Sequence, residues 1–348
     1  MSVRRVVVCD VQVPFVRGGA EALVRELGRQ LRARHYIVER VSVPFKWYPK
    51  EEILPHAAAW RLLDLGASNG QPIDAVIATK FPSYFVRHPA KVTWLIHQYR
   101  AAYELCGTEF SDFQHTELDV GLRDRLIALD REMLMESRGL FTISRRTAER
   151  LQKFNGLGAE PLYHPSRLAA RLHSGPSGDY VLSVGRIESI KRVDLAIRAM
   201  EHVDRRIRLL IAGEGTQLEH VRRLAEERGL GDRVSFLGAI SDEELIELYA
   251  GALAVVYVPY EEDYGYVTLE SFMARKPVIT AHDSGGPLEF VQHDVNGFIC
   301  DPQPAALADC VNRLAAARAV AAAFGDAGHD RAKAVTWDGV IERLLGHL

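Results

Sequence analysis

The chain has 348 residues, of which 47% are hydrophobic, so it can bury two packed cores and is too apolar for long disordered stretches. Its net charge is only −3, with acids and bases interspersed, which argues against a nucleic-acid binder that depends on phosphate contacts. The four cysteines are scattered without a Cys-x-x-Cys pair and no apolar run is long enough to span a membrane, which excludes a disulfide framework, a zinc site and a transmembrane protein.

A glycine pair lies between the first predicted strand and the first predicted helix. Residues 6–9 form an apolar run typical of a buried strand, and apolar residues recur at helical spacing over 20–31. Gly18 and Gly19 therefore occupy a strand-to-helix turn, where the backbone can approach a ligand, although a plain tight turn is the simpler explanation of a lone pair. No Gly-x-Gly-x-x-Gly follows the strand, so the dinucleotide-binding fingerprint is missing.

A histidine directly follows another predicted strand of the N-terminal half. Predicted strands cover residues 36–43, 74–79, 92–96 and 140–143, and predicted helices cover 53–65 and 122–136. His97 ends the third of these strands, and ligands in open α/β sheets gather beyond the carboxyl ends of strands. A histidine at this place can also cap the strand or bond a carbonyl group. Tyr99, Arg100 and Tyr103 follow and could face a ligand, as residues of any surface helix could.

A segment rich in proline and glycine divides the chain. Residues 165–179 show little periodicity and predict an interdomain linker. Predicted strands and helices then alternate again, with strands at 180–184, 208–212, 234–238, 255–258, 278–279 and 297–299 and helices at 305–323 and 337–348. We therefore expect an α/β protein with two doubly wound domains, at 1–168 and 178–330, and a terminal segment at 331–348.

Two basic residues follow the first predicted strand of the second half. Gly185 ends that strand, and Arg186 and Lys191 lie in the loop before the next helix. A guanidinium group offers a planar fork to phosphate oxygens, and an ammonium group offers a compact charge. The loop is therefore a candidate phosphate site.

Two carboxylates, Glu262 and Glu270, lie on either side of a glycine turn at Gly265 that opens a predicted helix. A helix start offers unpaired backbone N–H groups and a partial positive charge, which suit an anion. Carboxylates beside an anion site are poor phosphate ligands but good partners for hydroxyl groups. One loop thus offers N–H groups to phosphate and carboxylates to sugar, as a nucleotide-sugar site requires.

These residues resemble the signature of the retaining, family 4 glycosyltransferases. Residues 262–270 carry its Glu-x7-Glu spacing, and the segments 276–279 and 285–289 follow where that family has its next strand and glycine loop. The segment 184–191 and the Gly-Gly-Ala-Glu turn at 18–21 are also similar, so the resemblance is dense over about 180–300 and sparse over 1–165. Two positions depart from the family: Arg192 replaces a common glycine, and His164-Pro165-Ser166 replaces an Asn-Gly-Val-like turn.

The resemblance implies the GT-B architecture, in which two Rossmann-like domains face each other across a cleft. The first would bind the acceptor, the second would bind the donor, and a C-terminal helix would cross back onto the first. Arg186 and Lys191 would hold the donor diphosphate, while Glu262 and Glu270 would contact sugar hydroxyls and ribose. The other implied donor-binding residues are Gly18, Gly19, Gly185, Gly238, Ile240, Gly265, Tyr266, Val267 and Thr268.

His97 would be a catalytic residue beside the transfer centre, with Tyr99, Arg100 and Tyr103 on the acceptor side. The expected product is an α-glycoside, formed by same-face attack in which a donor phosphate oxygen accepts the proton. Glu262 as a covalent nucleophile is the alternative. The chain has no Asp-x-Asp triplet, so neither a metal ion nor another cofactor is expected.

UDP- or GDP-sugars are the expected donors, and a glycan, a lipid-linked sugar or a small molecule is the expected acceptor, as in polysaccharide biosynthesis. The first five residues lead into too short an apolar run for a signal peptide, so a cytoplasmic location is expected. Weak docking at the inner face of the membrane is a lesser alternative, through a basic helix face of Arg25, Arg29, Arg32 and Arg34. A nucleotide-dependent α/β oxidoreductase and a non-catalytic sugar-nucleotide-binding protein also remain open.

Overall fold

The computed structural model describes residues 4–15 and 18–346, which form two compact units. The first unit comprises the described parts of Met1–His164 and Thr336–Leu348, and the second is Pro165–Val335. The expectation of no signal peptide concerns a chain start whose first three residues lie outside the described ranges. The last two residues of the predicted final helix also lie outside them.

The first unit is built on a parallel sheet. Its strands are β1 (Arg5–Gln12), β2 (Ile37–Pro44), β3 (Ala67–Ser68), β4 (Gln71–Pro72), β5 (Ala75–Ala78), β6 (Lys91–Leu95), β7 (Gly139–Thr142) and β8 (Glu160–Pro161). Its helices are α1 (Gly19–Ala33), α2 (Ile53–Ala59), α3 (Glu117–Met135) and α4 (Arg145–Asn155), joined by the C-terminal α11 (Trp337–Leu345). Six strands pair in parallel in the order β2-β1-β5-β6-β7-β8, while β3 and β4 form a separate antiparallel pair. The central strands β5 and β6 are buried along their whole length, as in a sheet covered on both faces.

The second unit repeats this design. Its strands are β9 (Tyr180–Val184), β10 (Arg208–Ala212), β11 (Val234–Gly238), β12 (Ala254–Val256), β13 (Val278–Ala281) and β14 (Gly297–Cys300). Its helices are α5 (Val193–Ala199), α6 (Leu218–Glu227), α7 (Asp242–Gly251), α8 (Tyr266–Met273), α9 (Pro304–Ala316) and α10 (Arg318–Ala332). The strands pair in parallel in the order β11-β10-β9-β12-β13-β14. This order makes β9, β12 and β13 neighbours near the middle of the sheet.

The helix predicted over 305–323 is two helices in the structure. The chain leaves helical geometry at Ala317, where φ is −129° and ψ is 66°. Gly328 of α10 packs closely on α8, since a Cβ on Gly328 would lie 2.3 Å from the Phe272 ring. Alanine propensity alone favours one helix here, whereas the structure divides the stretch at Ala317.

The C-terminal helix α11 packs inside the first unit through an aromatic cluster. The Trp337 ring stacks on His164 with centroids 5.9 Å apart and meets Trp94 edge-on at 6.1 Å. Such contacts add to the area that each ring buries. No helix among the described residues combines the length and apolar character needed to cross a membrane.

Candidate functional site

Three loops of the second unit meet at the carboxyl edge of its sheet. Because β9, β12 and β13 are adjacent and parallel, the loops that follow them emerge side by side. The Tyr260 N–H donates to the Ile190 carbonyl group at 2.8 Å, which joins the loop after β9 to the loop after β12. The Glu262 N–H donates to the Ser284 carbonyl group at 2.9 Å, which joins the loop after β12 to the loop after β13.

Two glycines allow this close approach of the loops. Gly265 and Gly285 have φ values of 82° and 73°, in the left-handed region that disfavours a side chain. A Cβ on Gly285 would lie 2.5 Å from the Glu262 carbonyl oxygen, so a larger residue would push the loops apart. Gly265 ends its loop by starting α8 at Tyr266, two residues earlier than the sequence pattern indicates.

Lys191 and Glu262 form an ion pair across two of these loops, although 71 positions separate them in the chain. Their side chains are only 17% and 18% exposed, so solvent screens the two charges less than it would on an open surface. The buried Tyr257 contacts the pair from the sheet side. Burial and the charge of Glu262, to which it hydrogen bonds, hold the pKa of Tyr257 well above its usual range.

Arg186 lies next to this ion pair, directly after β9 and exposed to solvent. Gly185, Arg186, Lys191 and Tyr257 line one small cavity. A Cβ on Gly265 would lie 3.1 Å from the Tyr257 ring, so the start of α8 adjoins this cavity. Two cationic side chains and a helix start therefore occupy one edge of the sheet, which suits an anion with more than one negative charge.

The first turn of α8 contains the predicted diphosphate contacts, the N–H groups of Tyr266, Val267 and Thr268. The Thr268 N–H donates to the Gly265 carbonyl group at 3.0 Å, so it closes the turn. The Thr268 hydroxyl is fully buried and has no hydrogen-bond partner among the described residues. Tyr266 and Val267 occupy the two positions nearest the helix start.

The second carboxylate of the motif, Glu270, is buried within the second unit and only 9% exposed. Its Oε1 accepts a hydrogen bond from the Ser166 hydroxyl at 2.5 Å, and its Oε2 accepts one from the Tyr249 hydroxyl at 2.9 Å. Burial raises the pKa of the Glu270 carboxyl group. The ribose contact of Glu270 stays a prediction, because here the carboxylate is bonded to two hydroxyl groups of the chain itself.

Of the predicted donor-binding residues, Gly238 ends the edge strand β11 and Ile240 lies two positions after it. The Gly238 carbonyl group accepts a hydrogen bond from the Gly213 N–H at 2.8 Å, which ties the ends of β10 and β11 together. Ile240 lines an open groove of about 810 Å³ together with the apolar residues Leu237 and Leu248. This volume lies within the range of small-molecule sites.

In the first unit, His97 lies two positions after the end of β6 and is half-buried. Its Nδ1 lies 2.7 Å from the Gln98 carbonyl oxygen, a contact that requires the proton on Nδ1. Gly18 precedes α1, and its carbonyl group accepts the Ala22 N–H at 3.1 Å. His97 thus lies just beyond the end of a strand and the Gly18–Gly19 turn lies at the start of a helix, as the sequence pattern predicts.

The predicted acceptor residues are used largely for packing inside the first unit. Tyr103 is buried, and its hydroxyl donates to Asp130 Oδ2 at 2.5 Å. A buried phenol needs a hydrogen-bond partner, and here Asp130 supplies one within the chain, so the acceptor contact of Tyr103 stays a prediction. Arg100 forms an ion pair with Glu104. Tyr99 packs its ring among Phe45, Phe81 and Phe113.

Sequence reasoning missed a charged cluster beside the Gly18–Gly19 turn. The Lys80 Nζ donates to Glu21 Oε1 at 2.6 Å, and both side chains are largely buried. Asp10, at the end of β1, is also buried, and burial raises the pKa of its carboxyl group against the lowering effect of Lys80. Asp10 and Lys80 lie near the carboxyl ends of β1 and β5, so the strand-end criterion that selected His97 could have found them.

Three of the four arginines of the predicted basic face form ion pairs or hydrogen bonds with residues of the first unit. Arg29 pairs with Glu26, Arg32 donates to the Val38 carbonyl group at 2.7 Å, and Arg34 pairs with Asp338. Docking on anionic lipid through this face stays a prediction.

The second unit is similar in sequence to known glycosyltransferases. Residues 170–331 match the family model of the glycosyl transferases group 1. The human alpha-1,3/1,6-mannosyltransferase ALG2 is 32% identical over 169 residues, which are 44% of this chain and 40% of that protein. The GDP-mannose-dependent alpha-(1-6)-phosphatidylinositol monomannoside mannosyltransferase of Mycobacterium tuberculosis is 34% identical over 182 residues, which are 48% of this chain and 46% of that protein. The chain thus spans less than half the length of either relative.

The fold resembles that of solved structures over nearly its whole length. Sucrose-phosphate synthase from Thermosynechococcus elongatus superimposes with a TM-score of 0.73 at 21% identity, covering 97% of this chain and 96% of that one. The predicted fold class, α/β with two doubly wound domains of the GT-B kind, is confirmed. Residues 170–331 are thus similar in sequence to the group 1 glycosyl transferases. The narrower assignment to family 4 stays a prediction.

Proposed function

We propose that this protein is a retaining glycosyltransferase that moves a sugar from a nucleotide-diphospho-sugar to an acceptor hydroxyl group, forming an α-glycosidic bond without a metal ion. The observation that carries the proposal is the ion pair between Lys191 and Glu262, next to Arg186 and the start of α8. This pair supports the proposal because a cation suited to bind phosphate contacts a carboxylate suited to bind hydroxyl groups.

In this proposal, the donor breaks the Lys191–Glu262 ion pair and binds both side chains, Lys191 through its diphosphate and Glu262 through its sugar. A diphosphate carries more negative charge than one carboxylate, so it draws Lys191 away from Glu262. Glu262 is then released to accept hydrogen bonds from the hydroxyls of the transferred sugar. A nucleoside diphosphate without its sugar would remove the Lys191 counter-charge from a Glu262 carboxylate that is only 18% exposed, which is costly. Binding of phosphate and binding of sugar are thereby coupled.

The same residues suit the transition state of the transfer. When the bond between the anomeric carbon and the diphosphate oxygen breaks, negative charge grows on the leaving diphosphate. Arg186, Lys191 and the start of α8 stabilise that charge. The acceptor oxygen attacks from the face that the diphosphate leaves, and its proton passes to a phosphate oxygen. The products are an α-glycoside and a nucleoside diphosphate, with Glu270 proposed to hold the ribose and His97 to serve the acceptor side.

GDP-mannose is the first donor to test, because both relatives above are named mannosyltransferases and one is named as GDP-mannose-dependent. UDP-sugars are the second class. The acceptor is a hydroxyl group of a glycan, a lipid-linked sugar or a small molecule.

The test measures release of nucleoside diphosphate from GDP-mannose and UDP-glucose, with and without EDTA. We expect Lys191→Ala to lower the rate by about 100-fold or more, because a charge-stabilising group of the transition state is lost. Lys333→Ala is the matched control, since it removes another lysine of the second unit from an exposed ion pair with Asp330. Its rate should equal that of the wild type.

Other outcomes contradict specific parts of the proposal. Loss of activity in EDTA would contradict metal independence, and an unchanged rate in Lys191→Ala would remove Lys191 from the site. Nucleotide-sugar binding without turnover of either donor would favour a non-catalytic binding protein. Binding of NAD(P)H in place of sugar nucleotides would favour an oxidoreductase.

A further inference from the structure

The Arg192 side chain is bonded at four of its five N–H groups. Its Nε donates to the Val258 carbonyl group at 2.8 Å, and Nη2 donates to the Pro259 carbonyl group at 2.8 Å. Nη1 and Nη2 donate to the two oxygens of the Asp283 carboxylate at 2.8 and 2.6 Å. The side chain is only 13% exposed. The Arg192 guanidinium group is thus held mainly by the protein and is not a solvated surface charge.

The bonding partners of Arg192 lie in different loops of the candidate site. Arg192 itself follows Lys191 in the loop after β9. Val258 and Pro259 begin the loop after β12 that carries Glu262, and Asp283 lies in the loop after β13. One guanidinium group therefore joins all three loops, directly beside the Lys191–Glu262 ion pair.

The backbone at Arg192 adopts a conformation that favours glycine. Its φ of 51° and ψ of 42° lie in the left-handed region, which is unfavourable for a residue with a side chain. The local chain geometry would therefore be less strained with glycine at this position. The compensation visible in the structure is the set of bonds that the guanidinium group makes to the other two loops.

We propose that Arg192 is a positioning residue of the donor site, which holds the loop carrying Glu262 against Lys191 before any ligand binds. It acts through the neighbouring loops, to which four of its five N–H groups are bonded. The inference rests on the proposed function for its kinetic consequence. A site that is already ordered binds with less loss of conformational freedom, so without Arg192 the donor itself must order the loops.

The first experiment measures loop order by amide hydrogen exchange of the unliganded protein. The Glu261 and Glu262 N–H groups donate to the Asp283 and Ser284 carbonyl groups at 3.0 and 2.9 Å. In Arg192→Gly, which keeps the left-handed backbone and removes the fork, these amides should exchange about tenfold faster or more, because the loops open more often. Arg198→Ala is the control, since Arg198 lies on α5 in a looser pair with Asp194. Unchanged exchange in Arg192→Gly would overturn the inference, whatever the protein catalyses.

The second experiment separates this inference from the proposed function by kinetics with GDP-mannose. We expect Arg192→Gly to raise KM about tenfold or more and to lower kcat less than about threefold, because the bound donor restores the order. Arg192→Lys should not rescue KM, since one ammonium group cannot reach both loops in the same geometry. If the wild type turns over the donor and Arg192→Gly has the same KM, the inference is wrong while the function stands. If the wild type binds no nucleotide, the proposed function is wrong. The hydrogen-exchange measurement alone then tests whether Arg192 orders the loops.

A folding control accompanies both measurements. If Arg192→Gly lacks a cooperative thermal transition, Asp283→Asn replaces it, because this variant keeps the shape of the side chain and the two carbonyl bonds of Arg192. Asp283→Asn should show smaller increases in the amide exchange rates and in KM. If both quantities equal those of the wild type, the inference is wrong.

Discussion

The carboxyl edges of the two sheets use their polar residues differently. In the second unit, short loops after β9, β12 and β13 bring Lys191 and Glu262 together at the edge. In the first unit, a longer segment separates β6 from α3, and it folds onto the sheet so that Tyr103 pairs with Asp130 in the core. A position after a strand therefore predicts that a residue reaches the edge of the sheet. The length and packing of the following segment decide whether its side chain stays there.

The two carboxylates of the Glu-x7-Glu pattern show the same contrast within one unit. Glu262 pairs with a cation at the loop surface, whereas Glu270 is enclosed by the hydroxyls of Ser166 and Tyr249. Equal residue types at a regular spacing thus occupy very different environments. The variants below test whether these environments correspond to different roles.

The largest expected effect is that of Glu262→Gln on catalysis. The neutral amide cannot form the ion pair with Lys191 and accepts hydrogen bonds from sugar hydroxyls less strongly, so kcat/KM for the donor should fall by about 100- to 1,000-fold. Steady-state release of nucleoside diphosphate measures this. Glu243→Gln, which removes an exposed charge on α7, is the control. A wild-type kcat/KM for Glu262→Gln would place the working carboxylate elsewhere.

A smaller effect is expected on stability in the first unit, where burial raises the pKa of Asp130 to about 7. The folded chain then holds a proton that the unfolded chain has released above the ordinary value of 3.8. The free energy of unfolding should therefore fall as pH rises from 5 to about 7, by about 2 kcal/mol, and level off above that. Chemical denaturation of the wild type and Asp130→Asn at pH 5, 6, 7 and 8 measures the difference between them.

The control for this comparison is Asp124→Asn, which changes an exposed carboxylate on the same helix. Relative to the wild type, Asp130→Asn should gain stability steadily with rising pH, and Asp124→Asn should not. A pH-independent difference for Asp130→Asn would mean that Asp130 is ionised throughout, contrary to its buried setting.

The smallest expected effect is that of Ser166→Ala and Tyr249→Phe on donor binding. Each removes one hydroxyl that holds Glu270, so the carboxylate should lose orientation and the Kd for GDP or UDP should rise about three- to tenfold, at a stability cost of about 1 kcal/mol. Isothermal titration calorimetry with the nucleotide that the wild type binds measures the change. Equal Kd values in wild type and both variants would show that Glu270 only fills the core.

Much of the fold was accessible from local patterns. Apolar runs and helical spacing located the central strands of both sheets, and Ser144 and Ser241 start helices as cap residues, with Thr147 and Glu244 N–H groups donating to their hydroxyls. Tyr103 is predicted on the acceptor side because it follows His97 closely in the sequence. Its burial depends on Asp130, which lies 27 positions away in α3.

By itself, the sequence determined the alternation of strands and helices, the glycine turn at Gly265 and the spacing of the two carboxylates, because these depend on residues close together in the chain. Only the tertiary structure decided that Glu262 pairs with Lys191, that Glu270 is enclosed and that Arg192 joins three loops. Such contacts depend on the order of strands in the sheet, since that order sets which distant loops become neighbours.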